Sequence, residues 1–276
     1  MEVAANIFII KLPLPFKIDH VNCYLIRGNN GWVIIDTGLN YQSSTEAWES
    51  SFHDLNLKYS DIEGIYVTHY HPDHYGAAGW LQELTGAPVY MHRTESLFVD
   101  QMWKKGRANL PVVGELFKEN GMPPSLIAEV LENMAGIWSV VQPHPKLSLL
   151  SGDEKVEMAG RTLEIINSPG HSDGHICFFC REEGILIAGD HLMPKVSSCI
   201  SLWPTSYPNP LDLFLRSLVL VGDLPVKRVL PAHGPVFEDC RGRVQELLEH
   251  HRGRLLKIAD LVGAGATAYH ICESLY

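Results

Sequence analysis

Basic residues are scarce in this chain. It has 22 Lys and Arg against 32 Asp and Glu, for a formal net charge of -10. That balance excludes a general affinity for nucleic acid or an anionic membrane, because counterion release needs clustered cations. The one basic cluster, "RGRVQELLEHHRGRLLK" (241–257), interleaves Glu and Leu and reads as a solvated amphipathic helix. Long apolar runs are missing too. No stretch approaches 18 uninterrupted apolar residues, and "MEVAANIFIIKLPLPFK" has neither a basic n-region nor a small-residue cleavage site. A cytoplasmic location is the expectation. Cysteine is sparse and scattered: six residues in a chain of 276 that is 46% hydrophobic, large enough to bury a core without disulfides. The "CFFC" at 177–180 looks like a redox pair, but it sits in a strand pattern, where residues three apart face opposite sides.

Histidine, by contrast, is concentrated. Within "IYVTHYHPDHYGAAG" (65–79), His69, His71, Asp73 and His74 fall inside six positions. The preceding "GIYVT" is an apolar, β-branched run suited to a buried strand, and "YGAAGWLQELTG" has the small residues, helix formers and closing glycine of a helix. The histidines therefore stand where a strand gives way to a helix. There they can converge on one point while the strand beneath holds their loop rigid.

The rest of the chain repeats this arrangement. "NIFIIKLPL", "NCYLIRG" and "GWVIIDTG" read as three strands. A helix around Thr45 to Asp54 follows, then a strand from Ile62 to Thr68, a helix from Tyr75 to Leu84 and a strand from Ala87 to His92. From 93 to 145 only helix-forming stretches broken by Gly and Pro occur. After Lys146 the β pattern returns with "VEMAGRTLEIINSPG", "HICFFCR" and "GILIAGD", then a helix around Leu211 to Val221 and "VKRVLPAHG". The endings of "WVIIDTG", "LEIINSPGH", "GILIAGDH" and "KRVLPAHG" all place a ligand-type residue just past an apolar strand. Strand ends that meet at one sheet edge are where open α/β architectures carry chemistry.

With Asp36 in "DTG", then "HYHPDH", His171 in "SPGHSDGH", Asp190 in "AGDH" and His233 in "PAHG", the chain closely resembles the metallo-β-lactamase-fold hydrolases over roughly residues 6 to 240. The resemblance implies an α/β protein with a four-layer αβ/βα sandwich. It would form one metallo-hydrolase domain over 1–276, with a helical insertion at 93–145 and a helical tail at 241–276. It also implies that His69, His71 and His171 hold one metal ion, that Asp73, His74 and His233 hold a second, and that Asp190 bridges them. The residue chemistry agrees independently, since seven imidazoles and carboxylates are too many for one tetrahedral site. Zinc is the expected ion, with iron and manganese as alternatives. His71 stands where the family's redox di-iron members carry glutamate, which favours hydrolysis.

Two ions sharing a water lower its pKa toward about 7 and supply the nucleophile, hydroxide, at neutral pH. Asp190 and Asp73 are the expected catalytic carboxylates, Asp73 also relaying a proton to the leaving group. Asp36 is expected behind the ligands, fixing a histidine tautomer, with an Asx-type turn at "DTG" as the bland alternative. His175 and His191 are expected as hydrogen-bonded walls. His20, His53, His92, His144, His250, His251 and His270 lack ligand spacing, and His250 and His251 read as helix surface.

The resemblance extends to the group often labelled glyoxalase II-like, but a glutathione thioesterase needs cationic side chains for its glycyl carboxylate, and only scattered Arg and Lys are present after 240. The expectation is a hydrolase of a small ester-like bond, thioester or lactone first and phosphodiester next, with a small-molecule substrate, no nucleic-acid or membrane partner, and a homodimer as an option. A non-catalytic metal-binding or redox partner module is the reading from another class. The 93–145 segment, rich in Met, Phe and Trp, is expected to roof the site, with a satellite core or an interface as the alternative.

Overall fold

Alternating and continuous apolar runs generate two sheets in the computed structural model, which describes residues 1–262 and 265–275. Glu2–Ala4 (β1), Ile7–Pro13 (β2), His20–Arg27 (β3) and Trp32–Ile35 (β4) pair antiparallel in sequence order. Gln42–Asp54 (α1) then leads to Ile62–Val67 (β5), which pairs parallel with β4. Pro72–Tyr75 (α2) and Ala78–Thr85 (α3) lead to Val89–His92 (β6), again parallel. The helix expected over Tyr75 to Leu84 is thus broken. At Gly76 an added Cβ would meet the Pro72, Gly38 and Val140 carbonyl oxygens within 2.8 Å, so the chain turns there in contact with three other backbones.

The 93–145 segment contains Arg93–Phe98 (α4), a π-helical turn over Val99–Lys104, Leu110–Glu119 (α5) and Pro124–Ile137 (α6). Leu147–Leu150 (β7), a strand the sequence pattern does not mark, follows. It pairs parallel with β6 and completes a seven-stranded first sheet.

The second sheet has five strands in the order β12-β11-β10-β9-β8. They are Lys155–Met158 (β8), Arg161–Asn167 (β9), Ile176–Cys180 (β10), Ile185–Gly189 (β11) and Arg228–Pro231 (β12), with Pro210–Gly222 (α7) crossing between the last two. Cys240–Val262 (α8) and Ala268–Leu275 (α9) end the chain.

Three apolar layers follow from strand alternation. On β3, Val21, Cys23 and Leu25 pack outward against Trp48 and Phe52 of α1, while Tyr24 and Ile26 face the second sheet. On β10, Ile176, Phe178 and Cys180 enter that inter-sheet core, and Cys177 and Phe179 face Phe214 and Leu218 of α7. The result is helix, sheet, sheet, helix. Cys177 and Cys180 accordingly lie on opposite faces, both as free thiols. Burial pushes the Cys177 thiol up to about 12, so it is no nucleophile at neutral pH. Among the described residues, no helix is long and apolar enough to cross a membrane.

Register positions the site. Ile35 lies beside Tyr66, and Gly189 beside Pro231. Ile176 at the start of β10 lies opposite Asn167 at the end of β9. Asp36, His69, His171, Asp190 and His233 therefore all emerge along the same edge of the packed sheets.

Candidate metal centre

The edge brings together every residue expected to bind metal. His69 Nε2 lies 2.9 Å from His71 Nδ1 and 3.2 Å from His171 Nε2, and His71 Nδ1 lies 2.8 Å from His171 Nε2. Asp73 Oδ2 approaches His74 Nε2 at 3.7 Å and His233 Nε2 at 3.4 Å. Asp190 stands between the two groups. Its Oδ2 is 3.3 Å from His171 Nε2, and its Oδ1 is 3.3 Å from both His74 Nε2 and His233 Nε2.

Hydrogen bonds behind these atoms set the tautomers. Asp36 accepts from the Thr68 N–H at 2.8 Å, from the Thr68 hydroxyl and from His74 Nδ1 at 2.8 Å, which turns His74 Nε2 toward the centre. Because the Thr68 hydroxyl hydrogen is committed to Asp36, its oxygen accepts from His69 Nδ1 at 3.0 Å. His171 Nδ1 donates to the Cys199 carbonyl at 2.8 Å, and His233 Nδ1 to the His20 carbonyl at 2.9 Å. Four histidines are thus held with Nε2 directed inward. Asp36 does this in a left-handed backbone conformation, φ 59°, which aspartate tolerates better than most residues.

A hydrogen-bonded arrangement does not account for the centre. At most one of the three contacts among His69, His71 and His171 has a hydrogen to share, so lone pairs face one another. His74 Nε2 and Asp190 Oδ1 are buried without a hydrogen-bond partner. Cations resolve both problems. Two nitrogens on a tetrahedral zinc ion would stand about 3.3 Å apart, close to the observed spacings. Among the described residues, three donor sets are compact enough to hold an ion: His69, His71 and His171; His69, His74 and Asp190; and Asp73, His74 and His233.

The electrostatics fit the same picture. Burial, then the neighbouring imidazoles, holds His69 well below its ordinary pKa and brings His71 down to about 3. Burial alone would lower His74 and His233 too, but Asp36, Asp73 and Asp190 overcome it at His74, and Asp190 and Asp73 raise His233 to about 9. Burial would raise Asp190, yet His233 and His74 hold it well below the carboxylate range. The centre therefore presents ionised carboxylates and, on one side, imidazoles that carry protons until something displaces them.

The residues behind the ligands have separate tasks. His175 Nδ1 meets the Ser168 hydroxyl at 2.7 Å and its Nε2 accepts the Asp190 N–H at 3.2 Å, so it fixes the loop that carries the Asp190 carboxylate. His191 departs from the hydrogen-bonded wall expected of it: its ring nitrogens are buried without a hydrogen-bond partner, it packs edge-on against Phe214, and burial brings it down to about 3. His250 is exposed as expected. His251 is not a surface residue. It packs against Phe214, and its Nε2 lies 3.0 Å from the Ser197 hydroxyl, because α8 turns that side of the helix onto α7 and the loop after Asp190.

Glu95 is the residue that sequence reasoning passes over. It is 0% exposed, and its two oxygens accept the Tyr70 N–H at 2.7 Å and the Gly174 N–H at 2.6 Å. One carboxylate in the first turn of α4 therefore ties the "HYHPDH" loop to the His171 loop. Burial pushes it up to about 7 against the pull of those N–H groups. Gly174 must be small, since a Cβ there would lie 2.7 Å from Thr94 Cβ. The available signal was a lone acid in an otherwise amphipathic stretch, which does not stand out.

These pKa directions predict a pH profile for the metal-free protein. His69, His71, His175 and His191 are all lowered in the folded state. Below about pH 6.5 the unfolded chain binds protons that the fold refuses, and stability falls by about 1.4 kcal/mol per pH unit for each such group. His74 and His233 are raised and act oppositely: their contribution is full below about 6.5 and is lost at higher pH, that of His233 as pH rises through about 9. Thermal melts of chelated protein across pH 4 to 10 should show a maximum near neutrality with losses on both sides. A flat profile would contradict these assignments.

The profile of the Metallo-beta-lactamase superfamily matches residues 17–233. The chain belongs to this superfamily. The superfamily protein TTHA1429 from Thermus thermophilus superposes with a TM-score of 0.90 at 33% identity, over 100% of this chain and 89% of that one. A probable metallo-hydrolase, YqjP, of Bacillus subtilis is 26% identical over 98% of this chain and 85% of its own length. An atrochrysone carboxyl ACP thioesterase of Aspergillus terreus, another relative within the superfamily, is 23% identical over 88% of this chain, which spans only 58% of that enzyme.

Proposed function

We propose that this superfamily member is a two-metal hydrolase of a thioester, with a lactone as the nearest alternative substrate. The observation that carries the reading is the convergence of seven inward-facing donors in two groups, with Asp190 presenting one oxygen to each. His69, His71 and His171 would hold one divalent ion and Asp73, His74 and His233 the other, zinc being favoured by the imidazole-rich donor set. Ions bound there supply an acidified water and polarise the scissile carbonyl.

The chain's own residues do the rest. Asp36, through Thr68 and His74, holds two ligand imidazoles in the required tautomer, and His175 holds the Asp190 loop. Asp73 has a side chain 18% exposed, so its carboxylate is reachable from the open side of the centre, where it can accept the proton given up by the attacking water and hand it to the departing group. A thiolate leaves with little protonation, so a weak acid suffices.

An acyl substrate is favoured over a phosphodiester because the cavity beside His71 is lined mostly by apolar and aromatic side chains, without lysine and with no arginine among the described side chains. The sequence similarity to a fungal acyl-carrier thioesterase supports the same choice. The test is a panel of one acyl thioester, one lactone and one aryl phosphodiester on zinc-loaded protein. The thioester should give the highest kcat/KM by at least about tenfold. A phosphodiester preference would overturn the acyl reading.

A further inference from the structure

Beside the metal centre lies a cavity of about 170 Å³ whose walls come mostly from the 93–145 segment, with Tyr70, His71 and Pro72 on the side of the metal centre. Met102, Trp103, Val113, Met134 and Trp138 line it, and Trp203, from the loop after Asp190, closes it. His71 lines it as well, so one imidazole has Nδ1 among the metal donors and its ring against this space. The polar edges of two of the three indoles are spent elsewhere: Trp103 Nε1 donates to the Tyr70 carbonyl and Trp138 Nε1 to the Met102 carbonyl, both at 2.8 Å. Asn109 is the one amide in the lining and its Nδ2 donates to the Gln101 carbonyl, so what faces the cavity is mostly hydrocarbon, aromatic faces and thioether sulfur.

We infer that this cavity is the acyl pocket, and that it takes an apolar group of about six carbons attached directly to the scissile carbonyl, such as a hexanoyl or phenylacetyl group. The inference rests on the thioester reading for its reaction and on the cavity alone for its size. A dry cavity of about 150 Å³ lined by aliphatic and aromatic side chains accommodates benzene, and the present volume is on that scale. It is too small for a long fatty chain. Each methylene buried in such a site strengthens transition-state binding roughly fourfold, so acetyl to hexanoyl should span on the order of 100-fold in kcat/KM.

The experiment uses zinc-loaded, full-length protein with acyl thioesters of N-acetylcysteamine from acetyl to decanoyl, plus phenylacetyl. kcat/KM should climb to about six carbons and level or fall beyond. Val113→Phe, which fills the cavity, should reduce the hexanoyl-to-acetyl ratio at least tenfold. Met134→Ala, which enlarges it, should move the optimum to longer chains, and zinc content should be unchanged in both. A second measurement does not depend on turnover: hexanoate and phenylacetate should quench tryptophan fluorescence at concentrations at least tenfold lower than acetate does, and Val113→Phe should remove the difference. Thioester turnover with no chain-length dependence in any variant would overturn the pocket and leave the reaction standing. Length-dependent carboxylate binding without thioester turnover would keep the pocket and overturn the reaction. If Val113→Phe and Met134→Ala changed only the oligomeric state, the cavity would be an interface and the inference would be wrong.

Discussion

Asp190→Ala should lower kcat/KM for any substrate the protein turns over by at least about 10³-fold, with bound metal falling from two ions per chain toward one. The size of the effect follows from position. Asp190 is the only donor whose two oxygens each face a different ligand group, at 3.3 Å on both sides. Removing it both uncouples the two sites and leaves their positive charge uncompensated in a buried place. The backbone should stay put, because the Asp190 N–H is held by His175 and its carbonyl by the Ser198 hydroxyl, neither of which needs the carboxylate. His71→Ala should be of comparable severity, since His71 Nδ1 sits within 2.9 Å of both other imidazoles of its group. His250→Ala, on the exposed side of α8, should change kcat/KM less than about twofold. Elemental analysis beside each rate measurement decides the matter: full activity in Asp190→Ala with two ions retained would mean that the bridge is wrongly assigned.

Metal loading should be the largest single contribution to stability. At free zinc a thousandfold above Kd each site adds about 4.1 kcal/mol. For a chain of this size two filled sites correspond to a rise in Tm of roughly 15 °C or more. The electrostatics add a second observable. His74 and His233 are both raised, His233 to about 9, so both carry protons in the metal-free protein near pH 7.5. Loading should therefore release protons from these imidazoles, about two per chain, and up to one more from the acidified water, read from the buffer dependence of the calorimetric heat. Stoichiometry at or below one ion after zinc-replete purification would defeat the two-metal proposal.

The ligand loops were legible because each is a local pattern: an apolar strand followed at once by a histidine or aspartate. Where those strands end at one sheet edge, local pattern and tertiary position coincide. "KLSLL" was harder, because β7 is a four-residue edge strand, two residues of which face solvent, and its partner β6 is more than fifty positions away in sequence. His251 followed the exposed charge pattern of its helix, but α7 and the loop after Asp190 cover that turn, which no short-range periodicity records. Glu95 escaped notice for the same reason. Its importance lies entirely in two backbone N–H groups, 25 and 79 residues away.

The carboxylate of Glu95 also constrains how a substrate can enter. A segment pinned in its first turn to both ligand loops, and again where Trp103 donates to the Tyr70 carbonyl, cannot swing aside as a hinged cover without shearing the imidazoles out of alignment. Entry must instead come from side-chain rotation at flexible residues such as Met102, or from the loop after Asp190, which meets the segment through Trp203 at the cavity and through a surface hydrogen bond between Thr205 and Gln101. On the thioester reading, changes of acyl preference are then open to α5 and α6, which supply cavity residues without touching the pin. The anchored start of α4 is bound to the geometry of the metals and can vary only with it.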